Sequence, residues 1–248
     1  MRQRIRYLLG KELRQLRRSR GALLSATLMP VFLLILTPAF ELSSLRAAAA
    51  QGQITSRAAS GALPPDVAQD PTRLFLRFLF PLLLTLGGLI VPSVAATYTI
   101  IGERERGSLE LLLSLPVRVH EILVAKLVAM LALALVVILP LFTLDVIAFL
   151  ALGLVSLADI LGLLGVMLAA LVYAIGEALL LALLARDLRT AQQLNGAMLI
   201  PITLVVGAVL LLAPASLALP SVIALLLLGA CAACFVGLRW LTVERYLL

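Results

Sequence analysis

Gly102–Pro116 reads GERERGSLELLLSLP, a charged island between two long apolar runs, and its reading decides the fold. Glu103, Arg104, Glu105 and Arg106 would each cost several kcal/mol in hydrocarbon, so this stretch faces water while its flanks do not. Gly107 breaks the chain, and Ser108 is placed to cap a new helical turn, with Glu110 near its positive N-terminal end. Leu109, Leu112 and Leu113 recur at helical spacing, and Pro116 stops the pattern within about three turns. A short helix with one apolar face, lying across a membrane loop, suits docking into another protein. An amphipathic loop resting on lipid headgroups has the same pattern, and these residues alone leave both readings open.

The composition agrees with spans on either side. Of 248 residues, 62% are apolar and 13% charged, with a mean hydropathy of +1.13. A soluble domain carries about 25% charged residues, so the chain reads as an all-α integral membrane protein. Gly21 to Phe40 and Phe78 to Gly102 hold no charged residue, and each is long enough to cross a core of about 30 Å. Further spans are expected at about 122–143 and 160–185. The 49 uncharged residues of Thr190 to Leu238 hold two more, about 194–213 and 221–238, parted near Pro214 to Pro220. The expected architecture is six transmembrane helices, with spans at about 21–40 and 78–101 preceding these four.

Charge sets the orientation. Residues 1–20 hold eight basic side chains against Glu12 alone. Ile5, Leu8, Leu9, Leu13 and Leu16 share one face of a helix whose other faces carry Arg14, Arg17 and Arg18, which describes an amphipathic interfacial helix on anionic lipid. A signal peptide is the alternative, but the basic part is too long and no small-residue cleavage site follows the apolar run. With residues 1–20, 102–126, 186–189 and 239–248 inside, 16 of the 20 Lys and Arg are cytoplasmic. Only Arg46, Arg57, Arg73 and Arg77 fall outside. The positive-inside rule then puts both termini in the cytoplasm. Residues 41–77, rich in Ala, Gln, Gly, Ser and Pro, form the external loop, and Asp145 and Asp159 bracket a second external stretch.

Few residues offer chemistry. The single histidine, His120, sits at the cytoplasmic start of span three with Arg118, Glu121 and Lys126, and no ligands gather round it. Cys231 and Cys234 have CxxC spacing inside an apolar run, where small residues packing between helices explain them better than a metal or redox site. No metal site is expected. Glu177 stands apart, nine residues before Arg186, or about 13 Å along a helix from the cytoplasmic boundary. An intramembrane acid marks a translocation pathway or a hydrogen bond to another helix, from Asn195 or Gln193; both readings stay open.

The coupling stretch carries a family resemblance. Glu103, Glu105, Gly107, Leu109, Glu110, Leu112 and Pro116, placed after the second span and before a basic residue and a third, resemble the cytoplasmic coupling helix of ABC transporter permeases of the second exporter type. The resemblance implies that region 102–118 docks on a separate ABC ATPase subunit, that the N-terminal helix flanks that interface, and that two permeases and two ATPase subunits make one transporter. The partners implied are that ATPase, a second permease copy and membrane lipid, with no nucleic acid.

The absence of a nucleotide loop agrees. The only lysines, Lys11 and Lys126, precede Glu12 and Leu127, so the sequence lacks the Lys-Ser or Lys-Thr that ends such a loop. The chain is therefore expected to be no enzyme and to hold no cofactor, with ATP and magnesium bound by the partner. The expected activity is export by alternating access of an apolar or amphiphilic substrate. The alternative is an ion-coupled secondary transporter using Glu177, although such proteins show several intramembrane acids and an internal repeat. An intramembrane hydrolase or transferase lacks its nucleophile, base and acid cluster. The bias toward Arg, Ala and Leu suggests a bacterial inner membrane.

Overall fold

The computed structural model describes residues 20–36, 38–39, 43, 74–96, 119–185, 187–214 and 216–240. Among these there is no strand. The expected interfacial helix with Arg14, Arg17 and Arg18, most of the 41–77 loop, and the whole 102–118 coupling region lie outside the described residues.

Among the described residues six α-helices follow one another. We number them α1 (Arg20–Val31), α2 (Phe80–Ala96), α3 (Val119–Ala151), α4 (Leu157–Leu184), α5 (Leu188–Leu212) and α6 (Ala218–Trp240). π-helical turns extend α1 over Phe32–Leu36 and precede α2 over Phe75–Leu79. Five of the helical segments are long and apolar enough to cross a membrane: Phe75–Ala96, Val124–Ala151, Leu157–Ala178, Arg189–Leu212 and Ala218–Val236. The described part of the first expected span is shorter than these.

Helix ends follow local chemistry. α3 stops where Gly153 adopts φ +65° and the Leu154 amide donates to the Phe149 carbonyl at 3.0 Å, a left-handed cap that suits glycine. Ser156 and Asp159 then form a capping box at the start of α4: the Asp159 amide donates to Ser156 Oγ at 3.3 Å, and the Ser156 amide to Asp159 Oδ2 at 2.9 Å. At the start of α5 the Thr190 amide donates to Asp187 Oδ1 at 2.6 Å. That bond holds the Asp187 carboxyl below the usual carboxylate range.

α3 runs past the span expected over 122–143, slightly at its start and by about two turns at its end, in 33 residues. Two sequence expectations change with it. Lys126, placed at the cytoplasmic mouth, is 1% exposed, and Asp145, placed at the edge of an external stretch, is 7% exposed inside the helix. The connection between α3 and α4 shrinks to residues 152–156, and only a few residues separate Leu212 at the end of α5 from Ala218 at the start of α6.

α4 is the centre of the bundle, with α2 against one side and α6 against another. Small residues let the backbones approach. A Cβ on Gly88 of α2 would meet the Ala170 Cβ at 2.8 Å, and one on Gly165 of α4 would meet Ile223 Cδ1 of α6 at 2.7 Å. Contacts pairing Gly162 with Leu219, Gly165 with Ile223, Tyr173 with Gly229 and Gly176 with Ala233 rise together along both helices, so α4 and α6 run parallel. At the far end of α3, Phe75, Phe80 and Phe149 stack in the main core, with Leu84, Val91, Ile138, Met167 and Leu171 beyond them. The outer faces of α5 and α6 present Ile200, Leu204, Leu212, Leu228 and Phe235. In a membrane these side chains meet lipid.

Candidate functional site between α4 and α5

Several threonine hydroxyls inside these helices are satisfied by their own backbone. Thr85 donates to the Pro81 carbonyl at 2.8 Å, Thr143 to that of Pro140 at 2.8 Å and Thr203 to that of Leu199 at 2.6 Å. Such bonds let a short polar side chain sit in an apolar helix at little cost.

Glu177 differs. It is 2% exposed, and neither carboxylate oxygen has a hydrogen-bond partner among the described residues. Its side chain is too long to fold back onto its own helix as threonine does. Asn195 is 8% exposed, and its Oδ1 is likewise without a partner among the described residues. The hydrogen bond between these two side chains that the sequence suggested is therefore absent here.

Glu177 follows Gly176, which abuts Ala230 and Ala233 of α6, and Asn195 lies on α5. Glu177 continues the α4 line of Val166, Ala170 and Tyr173, and Asn195 the α5 line of Ala191, Ile202 and Val206. Val166 and Ala170 pack with Val206 and Leu210 far from the α4–α5 turn, while Ala185 packs with Ala191 beside it, so the helices are antiparallel. Measured from the Ala185–Ala191 level, Glu177 lies about 12 Å and Asn195 about 6 Å into the bundle, one turn apart in depth.

The apolar seam is interrupted there. Between Asn195 and Val206, α5 buries no side chain, whereas α4 keeps Ala174, Ala178 and Leu181 buried over the facing stretch. Glu177 Oε1, Glu177 Oε2 and Asn195 Oδ1 are thus three buried acceptors without a hydrogen-bond partner among the described residues.

Two other buried polar groups belong to α3. Lys126 lies seven residues from its start, at the end of the bundle where α4 finishes, and Asp145 lies six residues from its end, between Phe142 and Phe149 on its own helix. The sequence did not suggest the burial of Lys126, and it placed Asp145 at the edge of an external stretch. The available signal was that Lys126 follows Val124 and Ala125 and precedes Leu127, with no polar residue on either side. Gln193 is exposed. No group of three or more His, Cys, Asp or Glu that could hold a metal exists among the described residues. Cys231 is exposed and Cys234 half-buried, both unbridged.

The coupling-interface candidates Glu103, Arg104, Glu105, Arg106, Gly107, Ser108, Leu109, Glu110, Leu112, Leu113 and Pro116 lie outside the described residues. The helices on either side of them, α2 and α3, both pack in the main core.

Comparison with known families adds one match: the model of the ABC-2 family transporter protein aligns with residues 6–238. No curated protein matches the chain.

Proposed function

Because this chain belongs to the ABC-2 transporter family, we propose that it is the permease subunit of an ATP-driven exporter, powered by a separate ABC ATPase chain that binds ATP and magnesium. The observation that carries this is the family match over residues 6–238, nearly the whole chain, joined to five helices able to span a membrane. Two copies of the permease would face each other with two ATPase subunits beneath them, in a bacterial inner membrane with both termini in the cytoplasm.

In this reading residues 102–118 form the coupling helix, which presents Leu109, Leu112 and Leu113 to the ATPase and keeps Glu103 to Arg106 in water. The N-terminal helix, with Arg14, Arg17 and Arg18, flanks that contact and holds anionic headgroups. Closure of the ATPase pair pushes the coupling helix, and the push reaches the helix pair that follows it through α3. Glu177 and Asn195 line the pathway. The α4–α5 seam suits movement because α5 is lightly buried between them, and loosely packed elements open at low cost.

The test is purification in mild detergent from the native host. A subunit with a nucleotide-binding loop should accompany the chain, and should be lost when Glu105 and Leu109 are both replaced by Ala while the chain stays monodisperse. A folded chain that arrives without any ATPase would turn the reading toward an ion-coupled transporter centred on Glu177.

A further inference from the structure

α3 carries an acid where its buried stripe calls for an apolar residue. From its midpoint the helix turns one face inward, and that face reads Ala134, Ile138, Leu141, Phe142, Asp145 and Phe149, at the three- and four-residue spacing of a single stripe. The opposite face, with Leu144, Ile147 and Leu150, is exposed. Asp145 is 7% exposed, and its Oδ2 has no hydrogen-bond partner among the described residues. Phe149, one turn nearer the end of α3, meets the Phe80 ring edge-on at 4.9 Å and that of Phe75 at 6.2 Å. Those rings close the way along the stripe from the aqueous end of the bundle to the carboxyl.

The surroundings of the carboxyl select its ligand. An ionised carboxylate without a partner is costly in an apolar enclosure, and a bound proton removes the charge. A hard metal cation takes about six or more oxygens. The one hydroxyl of α3, that of Thr143, already donates to the Pro140 carbonyl at 2.8 Å, and no metal-sized group of His, Cys, Asp or Glu exists among the described residues. Of the elements packed against α3, α2 and the turn Phe32–Leu36 carry no titratable side chain, and α1 carries only Arg20, its first residue. The turn Phe75–Leu79 carries Arg77, half-buried and engaged in an interaction of its own. α4 carries the exposed Asp159, held by Ser156, with Tyr173 and Glu177 farther toward its other end. On α3 itself the nearest charged residue is Lys126, nineteen residues back.

We propose that Asp145 is a proton-binding site: its carboxyl holds a proton while Phe149 is seated on Phe75 and Phe80, and releases it to water when the last turns of α3 open. Opening yields a carboxylate and a hydrated proton, and reclosing takes the proton back. The closed form then binds one proton more than the open form. Where the open form is ionised and the closed form is not, the balance between them changes about tenfold per pH unit, so acid holds this end shut and alkali loosens it. In the orientation given by the charge pattern this end faces the exterior, and the pH it reads is the external one. The permease reading gains a pH response at a place remote from the ATPase contact.

The test uses the full chain in a maltoside detergent, which has no ester carbonyl. Infrared spectra at about pH 7 should contain a protonated-carboxyl band that Asp145→Asn removes and Glu177→Gln does not. Amide hydrogen exchange over residues 143–151 should rise in the wild type relative to Asp145→Asn as pH goes from about 6 to about 8, by up to about tenfold per unit. Taking the ratio cancels the intrinsic pH dependence of exchange. Asp145→Leu restores the apolar stripe and should match Asp145→Asn, so the comparison survives if the asparagine variant fails to fold. A monodisperse wild-type chain without the band, as an ion pair with Arg77 would give, overturns the assignment, and so does a ratio that stays flat with pH. Both readouts are made on the chain alone: loss of the ATPase partner leaves them standing, and their failure leaves the permease reading standing.

Discussion

A Cβ built on Gly176 meets the Ala233 Cβ at 3.0 Å and the Ala230 carbonyl oxygen at 3.1 Å, so α4 and α6 touch backbone to backbone one residue before Glu177. The carbonyl cannot move aside without moving α6. Gly176→Val should therefore push the helices apart and lower stability by about 1–3 kcal/mol, the range for an overpacked core. Gly176→Ala should cost less. Thermal unfolding in detergent reads both, and a valine variant as stable as wild type would show that this contact does not hold the pair.

Phe80 is fully buried, its ring 4.9 Å from that of Phe149 at 87° and 6.2 Å from that of Phe75. The edge-to-face contact with Phe149 ties the start of α2 to the end of α3. Phe80→Ala should destabilise by about 3–5 kcal/mol, and Phe80→Leu by less, because leucine leaves the smaller cavity. Denaturation of the two variants side by side checks the order, and equal losses would contradict it.

The capping box at Ser156 and Asp159 closes the first turn of α4 at a connection of only a few residues. Ser156→Ala removes the acceptor for the Asp159 amide and should cost about 1 kcal/mol. Amide hydrogen exchange should rise at residues 157–160 and stay unchanged near Met167. A uniform rise along α4 would mean that the cap acts on the whole helix.

Asp187 supplies the pH dependence. Its carboxyl is held below the ordinary value of 3.8, first by the hydrogen bond from the Thr190 amide. A depressed native value means that the stabilisation is fully present above the unfolded-state value and is lost as pH falls through the native one. The stability gap between wild type and Asp187→Ala should then be constant from neutral pH down to about 5 and close below about 4. Because the side chain is fully exposed, added salt should shrink the gap as well. A gap that widened on acidification would mean that the carboxylate is not the cap.

Much of the membrane architecture was legible in the residues. The uncharged runs announced helices that the structure contains, because hydropathy and length are properties of the chain alone. Glu177 was legible as an acid in an apolar run. Asp145 was misplaced for a physical reason: near the end of a span, a charge can reach water or turn inward, and only the neighbouring helices decide which. The extent of α3 was underestimated on the same ground, since Asp145 was read as the edge of an aqueous loop and is instead enclosed beside Phe142 and Phe149.

By itself the sequence determined that the chain forms long apolar helices, because in hydrocarbon each backbone amide must find its partner within its own segment, a local requirement. It also determined the points of arrest, since the Gly153 cap and the Ser156–Asp159 box act over a few residues. Which faces meet was decided only in the tertiary structure. α3 is apolar around its whole circumference, so no periodicity marks an inward side. The choice falls to close packing: Gly88 against Ala170 and Gly176 against Ala233 fix how α2 and α6 flank α4, and Glu177 and Asn195 are buried by that arrangement.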